Sequence, residues 1–157
     1  MKIALLMIGK TDNAAFVQVI DDYRKRITRY LPFEIATIPD LKNTRNLSES
    51  QQKEKEGELI LKALQAGDYC VLLDERGKSY TSEDFAAFLE NKMQTARKRL
   101  VFVIGGPYGF SKEVYEASSE SLSLSKMTFS HQMIRLLFTE QLYRALSLLN
   151  NEPYHHR

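Results

Sequence analysis

The apolar positions fall into short blocks separated by polar stretches of helical period. Residues 3–8, Ile-Ala-Leu-Leu-Met-Ile, form a continuous apolar run that stops at Gly9. Such a run predicts a strand buried on both faces. Asp12 then opens a helical stretch to about Tyr30, with Ala15, Phe16, Val19, Ile20, Tyr23 and Ile27 near one face, and Pro32 breaks it. Residues 33–38 alternate and predict a second strand, stopped by Pro39-Asp40, and residues 41–47 read as a polar loop. Ser48 or Ser50 can cap a polar helix to about Gln65, with Gly67 as its C-cap. Its stretch from Gln51 to Glu56 reads mostly as a solvated face.

Residues 69–73 predict a short buried strand, closed by Asp74-Glu75-Arg76-Gly77. Thr81 or Ser82 caps the next helix, which places Phe85, Phe88, Leu89 and Met93 on one face. Residues 100–104 are the most strand-like run and end in Gly105-Gly106-Pro107-Tyr108-Gly109. Ser111 caps a short helix to about Ala117, and residues 121–125 alternate as a strand or extended loop. Residues 131–149 carry the clearest amphipathic helix, and Pro153 keeps the tail non-helical. Strands alternating with helices predict an α/β fold, a parallel sheet with helices on both faces. With no linker or repeat, residues 1–157 read as a single domain.

Ligands of such sheets bind at the C-terminal strand ends. Two ends stand out, residues 74–77 and 105–109. Glycines at 105, 106 and 109 can let the backbone approach a ligand and adopt positive φ. The alternative is a tight strand-to-helix turn with no ligand. The spacing is not the Gly-x-Gly-x-x-Gly of dinucleotide folds. Gly77-Lys78-Ser79 fails as a phosphate loop because Leu72 stands where that loop needs glycine. Residues 124–129, Leu-Ser-Lys-Met-Thr-Phe, can line a pocket for a flat, mostly apolar ligand, or form a solvated loop with apolar anchors. No Gly-x-Ser-x-Gly elbow supports a serine nucleophile. One cysteine and the adjacent His155-His156 supply no metal-ligand set, so no metal is expected.

Charge changes the picture in one respect. The chain has 22 Lys+Arg against 20 Asp+Glu, a net charge of +2. Residues 1–120 hold 18 of each sign, so the excess lies in the last 37 residues, with all three histidines. His131 and Arg135 are four apart on the last helix, and Arg144 can extend their stripe. Basic groups beside the aromatic rings of Tyr143 and Tyr154 suit exposed RNA bases. A solvated basic face with a frayed tail is the alternative. The weak net charge excludes a free-standing basic nucleic-acid binder. Cys70, inside an apolar run, reads as a buried, inert thiol. No run approaches the ~18 apolar residues of a membrane span. No small-residue cleavage site follows the short apolar run at the start. A reducing, cytoplasmic setting without membrane association is expected.

An ordered set of motifs then stands out. It comprises Leu73-Asp74-x-x-Gly77, residues 103–109 (Val-Ile-Gly-Gly-Pro-x-Gly), residues 122–128 (Leu-Ser-Leu-Ser-Lys-Met-Thr), His131, residues 140–145 (Glu-Gln-x-Tyr-Arg-Ala), and Tyr154-His155. The set resembles the ribosomal RNA large subunit methyltransferase H family, pseudouridine N3-methyltransferases of the SPOUT superfamily, from Met1 to Arg157. The resemblance implies a C-terminal trefoil knot and a homodimer with its active site at the subunit interface. It implies S-adenosylmethionine as methyl donor and N3 of a pseudouridine in large-subunit (23S) ribosomal RNA as acceptor, and the weak net charge adds the expectation that the target is read on the assembled ribosome. Carried over, the donor site is Leu73, Gly105, Leu124, Ser125, Lys126, Met127, Thr128 and Phe129. The tail departs from the family in ending Tyr154-His155-His156-Arg157. Arg135, Arg144, Tyr154 and His155 are expected to contact RNA. His131, Arg135 and His155 form the expected catalytic set, with either histidine assisting proton removal. A helix-start role for His131, another RNA target and a non-catalytic ribosome-binding factor remain as alternatives.

Overall fold

The computed structural model describes residues 1–95 and 98–156. Strands and helices alternate as β1 (Lys2–Ile8), α1 (Ala14–Ile27), β2 (Phe33–Ile38), α2 (Glu49–Ala63), β3 (Tyr69–Ser79), α3 (Ser82–Gln94), β4 (Arg99–Ile104), α4 (Lys112–Ala117), β5 (Glu120–Ser123) and α5 (His131–Leu149). The strands form one sheet in the order β2-β1-β4-β3-β5. Every pairing is parallel. The expected α/β architecture is therefore present.

Period-two alternation along the strands builds two cores. Ile3, Leu5 and Met7 of β1 face one way, with Phe102 of β4, Ile27 of α1, Phe85 and Leu89 of α3, and Phe138 and Leu142 of α5. Ala4, Leu6 and Ile8 face the other way, with Val101 and Val103, Ile60 of α2 and Val114 of α4. Helices thus cover both faces, which is why β1 and β4 are apolar without a break. Phe102 and Phe138, both fully buried, lie with ring centroids 4.7 Å apart.

The helix starts are capped by side chains. Ser48 and Gln51 make a reciprocal capping box on α2. Thr81, Ser111 and Ser130 each accept a backbone N–H from α3, α4 and α5. For α1 the cap is Asn13 rather than Asp12, because its Oδ1 accepts from Ala15 N at 2.8 Å, and the helix ends at Ile27. Gly67, at φ +86°, is not the cap of α2. It lies in a turn closed by Asp68, whose carboxylate takes Gln65 N and the Arg99 guanidinium.

Two further expectations are corrected. Residues 74–77 do not end β3. The pairing with β5 shifts between Leu73 and Lys78, both opposite Leu122, so Asp74 to Gly77 form a bulge and the strand resumes. At Gly77 a Cβ would meet the Ser121 carbonyl carbon at 2.5 Å, so only glycine lets the strands approach there. On α2, Glu56 is not on a solvated face; it is 3% exposed.

Phe138→Ala should lower the unfolding free energy by about 3–5 kcal/mol in urea titrations. Cys70 is buried as expected, and burial pushes its thiol up to about 12 from an ordinary 9.0. A raised folded pKa makes its contribution to stability whole below about pH 9 and lost as pH rises toward 12. The folded chain should resist iodoacetamide at pH 8 and react stoichiometrically in urea.

Candidate functional site

The bulge of β3, the loop after β4 and the loop before α5 converge on the C-terminal edge of the sheet. They enclose a cavity of about 580 Å³. Its apolar wall includes Leu73, Ile104, Phe129 and Ile134, and Asp74, Glu75, Ser125 and Thr128 supply polar groups. Of the residues expected to bind a donor, Leu73, Gly105, Ser125, Met127, Thr128 and Phe129 line it. Leu124 instead packs against the larger core, and Lys126 is exposed outside the lining.

Local bonds shape each wall. Ser125 Oγ accepts from Met127 N at 3.0 Å, which turns the chain back on itself. Thr128 donates to Glu75 Oε2 at 2.8 Å and joins that loop to the β3 bulge. The Asp74 carboxylate accepts a short hydrogen bond from Tyr115, a wall residue on α4 that sequence reasoning missed. Burial, then the Asp74 carboxylate, pushes the Tyr115 phenol up, so it stays a donor. Its signal lay four residues beyond the Ser111 cap, which puts it on that face of α4.

The glycine loop works differently from the expectation. Of its three glycines only Gly109 has positive φ, +82°, in a turn where its N–H donates to Gly106 O. A Cβ at Gly105 would meet the Phe110 ring at 2.9 Å, and one at Gly106 would meet the Glu56 carboxylate at 2.5 Å. These two are glycines for packing.

His131 is exposed at the start of α5 and lines this cavity and a second one of about 350 Å³. Its helix is pinned to the end of β1. Gln132 accepts from Asp12 N and donates to Lys10 O. Arg135 donates to Ile8 O at 2.7 Å, Gly9 O at 3.0 Å and Thr11 Oγ1 at 3.1 Å. Arg135 is 1% exposed. Burial works against its charge, and Asp12 and Asp40 offset that. A guanidinium committed to strand-end carbonyls is a brace for α5 and is not part of an exposed stripe in this chain.

The other expected contacts form a separate cluster. Arg144 pairs with Glu140 and stacks over Tyr154, 5.0 Å from its centroid. Tyr154 donates to Glu140 Oε1 at 3.1 Å and shares a hydrogen bond with Tyr23. His155 Nδ1 lies 3.0 Å from an Arg144 nitrogen. Guanidinium only donates, so Nδ1 is the acceptor and the ring proton sits on Nε2, facing Glu83. The tail is thus docked, not frayed. His156 is exposed, and Arg157 lies outside the described residues. Arg144 follows His131 by 13 positions on α5, roughly 20 Å at the helical rise, so one chain does not bring tail and cavity together.

Arg135→Met should lower the unfolding free energy by about 3 kcal/mol, because it strands two buried carbonyls. An unchanged urea midpoint would contradict the bracing role.

Comparison with known proteins agrees with this geometry. The family model described as predicted SPOUT methyltransferase matches residues 1–155. A Parabacteroides distasonis protein named ribosomal RNA large subunit methyltransferase H is 69% identical over 99% of both chains. Proteins of the same name from Christiangramia forsetii and Porphyromonas gingivalis are 59% identical over 100% of both chains and 56% identical over 99% of both. A glycine-rich strand-end cavity, matched along nearly the whole chain, places this protein in the SPOUT methyltransferase family.

Proposed function

We propose that this chain is an S-adenosylmethionine-dependent methyltransferase acting on N3 of a pseudouridine in 23S ribosomal RNA. The observation that carries the reading is the cavity built from the β3 bulge and two strand-end loops, joined to near-full-length similarity to relatives that bear the methyltransferase name. The whole chain, residues 1–157, acts as one SPOUT domain with a C-terminal trefoil knot.

The cavity's chemistry fits the donor. Leu73, Ile104 and Phe129 offer an apolar slot for a flat base. Asp74 and Glu75 accept from hydroxyls, and the backbone of residues 105–109 meets polar edges. Gly105, Ser125, Met127 and Thr128 complete the donor site, with Leu124 and Lys126 acting through the loop they belong to. Bound there, S-adenosylmethionine supplies an electrophilic methyl group on a sulfonium. The chain's part is alignment, worth up to ~7–11 kcal/mol in well-oriented systems, and management of the imide proton. His131, at the cavity rim, takes that proton or orients the base. No metal takes part in this reading.

The tail calls for a second copy. Tyr154, His155 and Arg144 suit an RNA base and its phosphates, yet in one chain Arg144, against which the other two pack, lies roughly 20 Å along α5 from His131. A homodimer would bring one copy's tail to the other's cavity. Met127, 74% exposed, Phe129 and Tyr108 leave apolar surface at the cavity for such a partner. A net charge of +2 favours a target that the ribosome presents already shaped, in the cytoplasm. No helix among the described residues is long and apolar enough to cross a membrane.

Mass mapping of 23S rRNA from a strain lacking the gene tests the reading. One pseudouridine should lose its methyl group, and an unchanged map would reject the proposal. In vitro, assembled ribosomes should be methylated far faster than deproteinised rRNA. For the dimer, a chain lacking residues 150–157 should be inactive alone. It should regain activity when mixed with a donor-site variant that keeps its tail. No recovery in the mixture would contradict a tail acting across the interface.

A further inference from the structure

Behind the glycine loop lies a buried acid that the reaction scheme does not use. Glu56 of α2 is 3% exposed, and among the described residues one hydrogen bond reaches its carboxylate, from Gln52 Nε2 to Oε2 at 3.3 Å. Among the described residues, its Oε1 is buried with no partner. Burial pushes its carboxyl above the usual range, and Asp40 adds to that. Such an arrangement is costly and calls for a reason.

The reason is legible at Gly106. A Cβ there would point at Glu56, with Oε1 at 2.5 Å, Oε2 at 2.6 Å and Cγ–Cδ bond's end, Cδ, at 2.8 Å. Gly106 does not have positive φ, so its backbone would accept alanine. An added Cβ there would have to displace the end of the Glu56 side chain, which its burial confines. The next residue of α2 repeats the contact at the far end of the loop. A Cβ at Gly57 would meet Ser111 Oγ at 2.4 Å, and Ser111 caps α4. Neighbouring residues of α2 therefore hold both ends of the segment from Gly106 to Ser111.

We propose that Glu56 is a positioning residue for the methyl donor, its carboxylate setting the backbone of the glycine loop through contact with Gly106. The inference rests on the donor assignment above. It acts by shape: Glu56 lines the second cavity with Gly106, on the other side of the loop, and is absent from the wall of the donor cavity.

The test is calorimetric titration of S-adenosylmethionine into full-length variants, with ribosome methylation kinetics alongside. Gly106→Ala should weaken donor binding about tenfold, an ordinary coupling for residues in contact. Adding Glu56→Ala should restore it, because the new methyl group then occupies the space that the carboxylate left. Glu56→Gln, which keeps the shape, should bind the donor as wild type does, while Glu56→Ala alone should weaken it. The KM for ribosomes should stay unchanged throughout. A double variant no better than Gly106→Ala, or a Gly106→Ala that binds normally, overturns the proposal. If Gly106→Ala does not fold, equal donor affinities for Glu56→Gln and Glu56→Ala overturn it. A wild-type chain that takes up no donor rejects the donor assignment and this inference with it.

Discussion

Every strand of the sheet runs parallel, and the rest of the molecule depends on that constraint. Parallel strands deliver all their C-terminal ends to one edge, where the loops that follow must meet. The bulge within β3, the glycine loop after β4 and the serine-rich loop after β5 are distant in sequence and adjacent in space for this reason. Parallel pairing also requires helical crossovers, which bury both faces and make the central strands apolar throughout.

The cavity edge is held by polar contacts rather than by apolar packing alone. Arg135 spends its charge on the carbonyls of Ile8 and Gly9, and Gln132 bonds both ways to residues 10 and 12. These bonds fix the first turn of α5, and with it His131. Thr128 and Glu75 tie one loop to another, and Glu56 meets the glycine loop from behind. A buried guanidinium and a buried carboxyl on either side of the site are expensive in isolation. Their contacts hold α5 against the end of β1 and α2 against the glycine loop.

Much of this was legible in the sequence. Apolar runs locate β1 and β4, Ser111 marks the start of α4, and the pairs Ser48 or Ser50 and Thr81 or Ser82 bracket the caps of α2 and α3, which are Ser48 and Thr81. Residues 74–77, the glycine loop and the loop of residues 124–129 stand out in the sequence, and they meet in the cavity. Periodicity failed where a residue's role depends on what a distant segment places against it. Asp74 to Gly77 looked like a strand terminator because a bulge has the composition of a turn. Glu56 sits in a run of polar residues, so nothing local marks it as buried. Arg135 was read as surface charge from its spacing to His131, but helical spacing fixes a face, not what covers that face. The glycines of the loop read as conformational, whereas two of them are small because Phe110 and Glu56 press on them.

A strand-end cavity lies at one end of α5 and a docked basic, aromatic tail farther along it, and the proposed chemistry uses both. The central claim is that the strand-end cavity takes the methyl donor. The most direct test is calorimetric titration of the purified chain with S-adenosylmethionine, beside a Gly105→Leu variant whose side chain would crowd the loop. Saturable binding by the wild-type chain, lost in the variant while the fold is retained, is the predicted result. Absence of binding by the wild-type chain, or undiminished binding by the folded variant, would contradict the account.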